Sequence, residues 1–244
     1  MPVVASDLIA YSPVNRPSDD VSTGGGAITT LVRPVFTPLT AIDDLEVVSS
    51  SPSDTGVLTI VGRGTDGLLV TVPITLAGTT PVINATLFER ILSATFASAA
   101  AGTITLRRRD GGPIVAIIPA GEQAVSALFK NAIGEAGTAT RYDKFFFKNI
   151  HGSLTLSAAV VRLIADPAAK IRIGLAAAKG DTVTITNRKT APGGITFFDD
   201  NVDIAVPTGT LAAGEVIGVW VEQALAAAEA AINSTFSVHI TGTS

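Results

Sequence analysis

Hydrophobic and polar residues alternate over short stretches of this chain, and the stretches recur at intervals of about 8–12 residues. Turn-forming residues such as Gly, Pro, Asp and Ser separate them. Alternation of period two predicts strands with one buried face, so we predict an all-β fold. The predicted strands before residue 130 are Asp7–Tyr11, Leu31–Phe36, Leu45–Ser49, Val57–Gly62, Leu68–Leu76, Thr86–Ser93, Gly102–Arg107, Ile114–Ile118 and Ala124–Phe129. Those after residue 150 are Val160–Ala165, Ile171–Leu175, Asp181–Asn187, Gly194–Phe198, Gly214–Val221 and Phe236–Ile240.

Two stretches carry hairpin signals. Asp66-Gly67 lies between VLTIVGRG and LLVTVPITL, which both have apolar residues at alternate positions. The segment Tyr142–Leu156, YDKFFFKNIHGSLTL, combines aromatic and aliphatic runs with a turn at Asn149–Ser153. We predict a buried hairpin there and expect the chain to be organised around it.

Two stretches depart from the strand pattern. Residues 12–30, SPVNRPSDDVSTGGGAITT, are polar and glycine-rich, which predicts a flexible arm of the kind that reaches a neighbouring subunit. Gly24-Gly25-Gly26 is a weak candidate for a phosphate loop, because no Lys-Ser/Thr and no helical pattern follow it. Glu222–Ile232 is alanine-rich and helical by propensity, but it lies between two predicted strands. We expect a helical turn or a long hairpin loop at this position.

Composition excludes several classes of function. The chain has no cysteine, which excludes disulfides, thiolate metal sites and cysteine nucleophiles and fits assembly in a reducing cytoplasm. Its net charge is −4 with 16% charged residues, so neither nucleic-acid binding nor a polybasic membrane surface is predicted. Its apolar runs are far shorter than the roughly 18 residues that cross a bilayer, and we expect no secretory signal. Low charge with high aliphatic content is typical of a subunit of a large assembly.

Candidate chemistry is sparse. His151 and His239 lack a carboxylate or a second histidine at a metal-ligand spacing, so we expect surface or packing roles. The carboxylate pairs Asp19-Asp20, Asp43-Asp44 and Asp199-Asp200 have turn-like surroundings, which favour solvated turns over a glycosidase pair or a calcium site. Arg107–Arg109 is predicted to end a strand and pair with acidic groups of its own or a neighbouring subunit. We therefore predict no catalytic, metal-binding or cofactor-binding residue, no cofactor, and no enzymatic activity.

Four stretches resemble a family of tailed-bacteriophage virion structural proteins. The opening VVASDLIAYSPVNRPSDDVSTGGGAI is similar to that family's "ASD-aliphatic-x-x-Tyr" strand and Gly-Gly-containing arm. YDKFFFKNIHGSLTLSAAVVRLIADP resembles its "aromatic-x-K-N-x-x-x-TL-x-x-A-x-V" hairpin. TAPGGITF and LAAGEVIGVWVEQALAAAEAAINSTFSVHITG resemble its last three strands, including Trp220 and the alanine-rich loop.

The resemblance implies two β-sandwich domains of jelly-roll or immunoglobulin-like type, one inserted into the other, with an extended N-terminal arm. It divides the chain into residues 1–43 (strand and arm), 44–131 (inserted sandwich) and 132–244 (second sandwich). The implied function is that of a virion protein assembled in the bacterial cytoplasm, which decorates and cements the outside of the capsid.

The implied partners are the major capsid protein and further copies of the chain, with a trimer as one arrangement, without nucleic acid or membrane. A neck, tail or baseplate protein and a glycan-binding adhesion module remain alternatives. Neck or tail proteins would then be the partners in the first of these. An enzyme such as a cell-wall hydrolase is disfavoured, because no acid/base pair stands outside a turn-like context.

Overall fold

The computed structural model of the chain describes residues 2–130, 132, 135–229 and 235–244. Its regular elements in this part are β-strands and two short 3-10 turns, Ala5–Asp7 and Pro207–Gly209, without an α-helix. The predicted all-β fold class is therefore confirmed. Over the same residues, no helix is long and apolar enough to cross a membrane.

We number the strands in chain order. The first eleven are β1 (Leu8–Asn15), β2 (Gly24–Thr29), β3 (Val32–Arg33), β4 (Asp43–Ser49), β5 (Val57–Arg63), β6 (Leu69–Thr75), β7 (Val82–Phe88), β8 (Arg90–Phe96), β9 (Ile104–Arg108), β10 (Ile114–Ile118) and β11 (Ala124–Ser126). The others are β12 (Ala139–Asn149), β13 (Leu156–Ala165), β14 (Ile171–Leu175), β15 (Thr184–Ile185), β16 (Ile204–Ala205), β17 (Thr210–Leu211), β18 (Val216–Leu225) and β19 (Ser237–Thr243).

These strands form four sheets that are mainly antiparallel. A six-stranded sheet has the order β14-β18-β12-β1-β2-β15, and a five-stranded sheet has the order β3-β11-β8-β5-β6. A four-stranded sheet has the order β10-β9-β4-β7. In the fourth sheet, β13 pairs with β19 along one edge and with the short strands β16 and β17 along the other.

Contacts within the chain divide it into two compact units. The continuous unit is Thr30–Ala127, and the discontinuous unit combines Met1–Thr29 with Leu128–Ser244. The predicted domains 1–43, 44–131 and 132–244 have other boundaries and remain a prediction.

The continuous unit contains the five-stranded sheet and the β10-β9-β4-β7 sheet. Inward side chains of both sheets form one apolar cluster, in which Leu45 and Val47 of β4 join Leu58 and Ile60 of β5. These residues occupy alternate positions along their strands, as the period-two pattern predicts. The hairpin predicted around Asp66-Gly67 is confirmed, because β5 and β6 pair antiparallel over their full length.

The discontinuous unit contains the six-stranded sheet and the sheet around β13. Phe145 and Phe147 of β12 pack in one cluster with Val161 and Leu163 of β13. The opposite face of the six-stranded sheet carries a second cluster formed by Tyr142, Ile185 and Trp220, with Ile195 and Phe197 packed against it. Strand β12 is thus buried on both faces, which accounts for its nearly continuous aromatic run.

The hairpin predicted over Tyr142–Leu156 is wrong, although both of its segments are extended. Strand β12 pairs with β1 and β18, whereas β13 belongs to another sheet. The chain passes between the sheets through residues 150–155. Because β12 is a central strand whose two edges are already paired, it has no free edge for β13.

The flexible arm predicted over residues 12–30 is also wrong, because both ends of this stretch belong to strands. Strands β1 and β2 pair antiparallel, and β2 continues the six-stranded sheet to β15. Gly24, Gly25 and Gly26 are buried within β2. The glycine triplet is therefore neither a flexible linker nor a phosphate loop.

The strand predicted over Thr86–Ser93 is two strands in different sheets. Strand β7 pairs with β4, and β8, which begins two residues after β7 ends, pairs with β5 and β11. Glu89 lies at the transition, and its backbone N–H donates to the Arg63 carbonyl. The segment LFERIL contains no glycine, proline or other turn-forming residue at this bend, so the sequence pattern does not reveal the change of sheet.

Other predictions differ in extent. Leu31–Phe36 and Asp181–Asn187 each shorten to two strand residues, and Gly194–Phe198 contributes one isolated bridge, between Phe198 and Ile173. In Glu222–Ile232 the first four residues continue β18, which is paired on both edges, and a turn follows at residues 227–228. Residues 230–232 of that prediction lie outside the described part of the chain.

Candidate functional site

The arginine triplet of β9 and its loop faces the carboxylates of β4. Arg107 pairs with Glu46, Arg108 with Asp43, and Arg109 with Asp44 at 3.0 Å. The hydrogen bond from Arg108 is the main cause that lowers the pKa of Asp43. The predicted pairing of the triplet with acidic groups is confirmed, and of the two alternatives the structure shows partners in the same chain. Asp43-Asp44 lies in a strand, not in the predicted turn, because β4 pairs with both β7 and β9.

The other two carboxylate pairs lie in loops. Asp19 accepts the backbone N–H groups of Val21 and Ser22, and its bonds with Ser22 are the main cause that lowers its pKa. Asp199 and Asp200 are exposed beside a turn. Over the described residues, no group of three or more His, Cys, Asp or Glu side chains could hold a metal ion.

A buried charge cluster, which we call the Arg141–Arg188 cluster, lies at one end of β12. The Arg141 side chain is 0% exposed and bonds to Asp20 at 2.7–2.9 Å and to Glu135 at 2.7 Å. Arg188, also 0% exposed, donates to the carbonyls of Pro17 and Lys130 and to the carboxylate of Asp143 at 3.4 Å. The two guanidinium groups therefore connect the β1–β2 turn, the segment before β12, and the loop after β15.

Asp143 is the acid at the centre of the cluster. Burial raises its pKa, while Arg188 and the backbone N–H of Phe129, which donates at 2.5 Å, act in the opposite direction. Its side chain is only 6% exposed, and its oxygens accept bonds from within the chain. A substrate would have to displace these partners to reach the carboxylate. We therefore assign the cluster a role in holding segments together.

A second buried cation, Lys144, lies under the loop that follows β14. Its ammonium group is 4.6 Å from the Phe146 ring centroid and 5.2 Å from that of Trp220, and it donates to the Asp181 carboxylate. Burial lowers the pKa of Lys144, and Asp181 opposes this shift. The Asp181 carboxylate and the two aromatic rings stabilise the Lys144 ammonium charge in its apolar surroundings.

The two histidines have different surroundings. The Nδ1 of His151 accepts backbone N–H groups from Ser153 at 3.2 Å and Leu154 at 3.0 Å, so His151 helps to form the connection between β12 and β13. His239 is exposed on β19.

An exposed row of aliphatic residues lies on the outer side of the β10-β9-β4-β7 sheet. Ile83, Glu46, Arg107 and Ile114 are cross-strand neighbours in register. Ile83 is 45% exposed and Ile114 is 47% exposed, whereas Glu46 is buried beneath its pair with Arg107. With Ile117, which is 40% exposed, these isoleucines form what we call the aliphatic face.

The sequence interpretation missed the buried charges of β12. It treated RYDKFFFK as the start of an apolar hairpin, although Arg141, Asp143 and Lys144 stand directly beside the aromatic run. Charged residues inside a segment expected to be buried require partners, so this pattern indicates ion pairs even without a structure. Their partners, Asp20, Arg188 and Asp181, are far away in sequence and could not have been named.

No known protein family, no curated protein and no solved structure matches this chain.

Proposed function

We propose that this chain is a non-enzymatic structural component of a tailed-bacteriophage virion, which decorates and cements the outside of the capsid. In this proposal the two units are β-sandwich domains, one inserted into the other. The partners are the major capsid protein and further copies of the chain, without nucleic acid or membrane. The resemblance of the opening, the β12–β13 region and the Trp220 region to such proteins is the source of the hypothesis.

The aliphatic face is the structural observation that carries the proposal. Three isoleucines are 40–47% exposed on one sheet of a unit whose nearby arginines are all paired with its own carboxylates. Burying such a surface against a partner lowers the free energy by about 25 cal/mol per Å² of apolar area removed from water. It offers little to a highly charged partner, because Glu46 and Arg107 already neutralise each other.

Cementing also suits a modest contact that is repeated many times. A standard protein interface buries roughly 1,600 Å², and copies arranged on a symmetric shell add such contacts without any catalytic group. The buried ion clusters fit this role, because they fix segments of the discontinuous unit to one another.

The distribution of aromatic residues argues against the glycan-binding alternative. All thirteen aromatic residues lie in the described part of the chain, and none of them is exposed. Tyr142, Phe145, Phe147 and Trp220 are buried in the two clusters beside β12, and Phe146 is also fully buried. A glycan site would present aromatic faces to solvent, and binding of the protein to a glycan array would overturn this argument.

Cryo-electron microscopy of the particle that contains this chain tests the proposal. We expect density of two units at threefold or quasi-threefold positions of the shell. A ring of twelve or fewer copies below the portal, or density along the tail, would instead identify a connector or tail protein. A protein that stays monomeric and never associates with a particle would contradict the virion role itself.

A further inference from the structure

Strand β19 is a long edge strand. Its seven residues pair antiparallel with β13 along one edge, and no other described strand pairs with the opposite edge. Val238 and Ile240 point towards the core of the discontinuous unit, whereas His239 and Thr241 are exposed. One further contact is formed just past the strand, where the Val3 N–H donates to the Ser244 hydroxyl. Alternate backbone groups of β19 therefore face outwards, as in any edge strand.

The other long edge strands are protected in recognisable ways. Strand β6 contains Pro73, one residue past its centre, and proline has no N–H to donate to a further strand. In β7, the Thr86 N–H is already bonded to the Asn84 side chain. The remaining two long edge strands, β10 and β14, are bonded to segments outside the sheets. The Thr37 N–H donates to the Val115 carbonyl of β10, and the backbone N–H groups of Phe198 and of Ile173 in β14 each donate to the other's carbonyl.

Within the described part of the chain, strand β19 has none of these protections. Its sequence, SVHITGT, contains no proline, no lysine and no acidic residue. The two register irregularities in its pairing place the extra residues on β13, between Ser157 and Val160 and between Leu163 and Ala165. The free edge of β19 is therefore regular, which is the form that accepts another strand.

We propose that β19 pairs antiparallel with β19 of a second copy of this chain, about a twofold axis at Ile240. Ile240 is the middle residue of the strand, so an axis there pairs the whole strand and places His239 opposite Thr241 of the other copy. A second copy of the chain is the partner that suits this edge. When two β19 strands lie antiparallel about this axis, no charged side chain is placed opposite another of the same sign. Pairing would also continue the inward row of Val238 and Ile240 into the second sheet.

The inference deepens the homo-oligomer part of the proposed function and rests on it for its biological role. The two can fail separately. Dimers formed through β19 by a chain that no particle contains would contradict the virion role alone. A chain found on the shell whose association does not depend on β19 would contradict the inference alone.

Charge variants at the exposed positions test the pairing by sedimentation equilibrium of the full chain. We expect the wild type to dimerise. The double variant H239K/T241K places lysine opposite lysine at two symmetric positions, so its dimer dissociation constant should rise about tenfold or more. H239E/T241K places glutamate opposite lysine at the same positions and should restore dimerisation. Far-UV circular dichroism of each variant verifies that the fold is retained.

Engineered cysteines provide a second readout, because the chain contains no natural one. Under mild oxidation H239C/T241C should form a covalent dimer, since directly opposed side chains come within disulfide reach. H239C and T241C alone should still associate but should form little covalent dimer, because identical positions lie diagonally across the axis. A monomeric wild type, lysine variants that dimerise as tightly as the wild type, or equal cross-linking of single and double variants would overturn the inference.

Discussion

Gly25 controls how closely β2 approaches the single tryptophan of the protein. A Cβ atom at this position would lie 2.6 Å from the Val183 carbonyl oxygen and 2.8 Å from the Trp220 ring. The backbone of Gly25 also has φ +82°, a conformation that side chains strongly disfavour. A residue that looks like part of a flexible linker is therefore required by the packing around Trp220.

We expect Gly25→Ala to reduce the free energy of unfolding by about 2–4 kcal/mol, because strain at positive φ and overpacking against Trp220 add together. Gly214→Ala is the matched control. Gly214 has φ +81° in the same unit, but nothing lies within 4 Å of its added Cβ. The Gly214→Ala variant should lose only about 1–2 kcal/mol of unfolding free energy. Urea unfolding followed by Trp220 fluorescence measures both, and equal losses would show that the close approach is unimportant.

Lys144 and Asp181 are a buried pair in which each charge depends on the other. Asp181→Asn keeps the acceptor for the Val183 N–H but leaves the ammonium without its counter-charge. We expect a loss of about 3–5 kcal/mol near pH 7. The double variant K144M/D181N removes both charges and should be within about 1 kcal/mol of the wild type. If it is as unstable as D181N, the loss has another cause.

The same pair predicts a pH dependence. Burial lowers the pKa of Lys144 below its ordinary 10.5, so the unfolded chain binds this proton more tightly than the folded protein does. Stability should therefore rise with pH between the folded pKa and 10.5. Removing Asp181 lowers the folded pKa further, so the deficit of D181N relative to K144M/D181N should shrink as the pH rises towards 10. A deficit that is constant with pH would contradict the charge-based explanation.

At the scale of elements, the connection between β12 and β13 determines how the two sheets of the discontinuous unit are joined. Asn149, which is 0% exposed, donates to the carbonyls of Leu154 and Leu211 at 2.9 Å and accepts the His151 N–H at 3.0 Å. These bonds satisfy backbone groups where the chain leaves one sheet and enters the other. A hairpin would need no such side chain, because its backbone groups would pair with each other.

Asn149→Ala should cost about 2–4 kcal/mol, because it removes three hydrogen bonds and leaves buried carbonyls without a donor. His151→Ala should cost less than about 1 kcal/mol, because the connection between β12 and β13 is partly exposed at this residue and water can replace the imidazole. Denaturant unfolding of both variants tests the difference. A larger loss of unfolding free energy for His151→Ala would mean that the histidine, and not the asparagine, holds the connection between β12 and β13.

At the scale of the whole molecule, the continuous unit has a core of its own. Its apolar cluster includes Leu39, which precedes β4, and β3 pairs with β11 beside an ion pair of Arg33 with Glu122. Both features lie before residue 44, where the sequence interpretation begins the inserted domain. A fragment that starts at residue 30 should therefore differ in stability from one that starts at residue 44.

We expect the isolated fragment 30–127 to fold cooperatively and to be more stable than fragment 44–131 by about 3 kcal/mol or more. The shorter start removes the buried side chains of Val32 and Leu39 and leaves Glu122 without Arg33. Neither fragment contains Trp or Tyr, so urea unfolding must be followed by far-UV circular dichroism. A more stable fragment 44–131 would favour the predicted boundary.

The sequence by itself determined the all-β class, the β5–β6 hairpin and the pairing of Arg107–Arg109 with acidic groups, whereas the structure decided that these groups belong to the same chain. These depend on local information: a period of two, a tight Asp-Gly turn, and clustered charges that require partners. Most strand positions followed from the same alternation, because it marks which residues can be buried together.

Only the tertiary structure decided which strands are neighbours. It separated β12 from β13, divided Thr86–Ser93 between two sheets, placed Gly25 against Trp220, and brought Asp20 to Arg141. Each of these outcomes depends on contacts between residues distant in the chain, and on which strand edges are already occupied. Local alternation contains no information about either, because a strand has the same period of two whichever neighbour it pairs with.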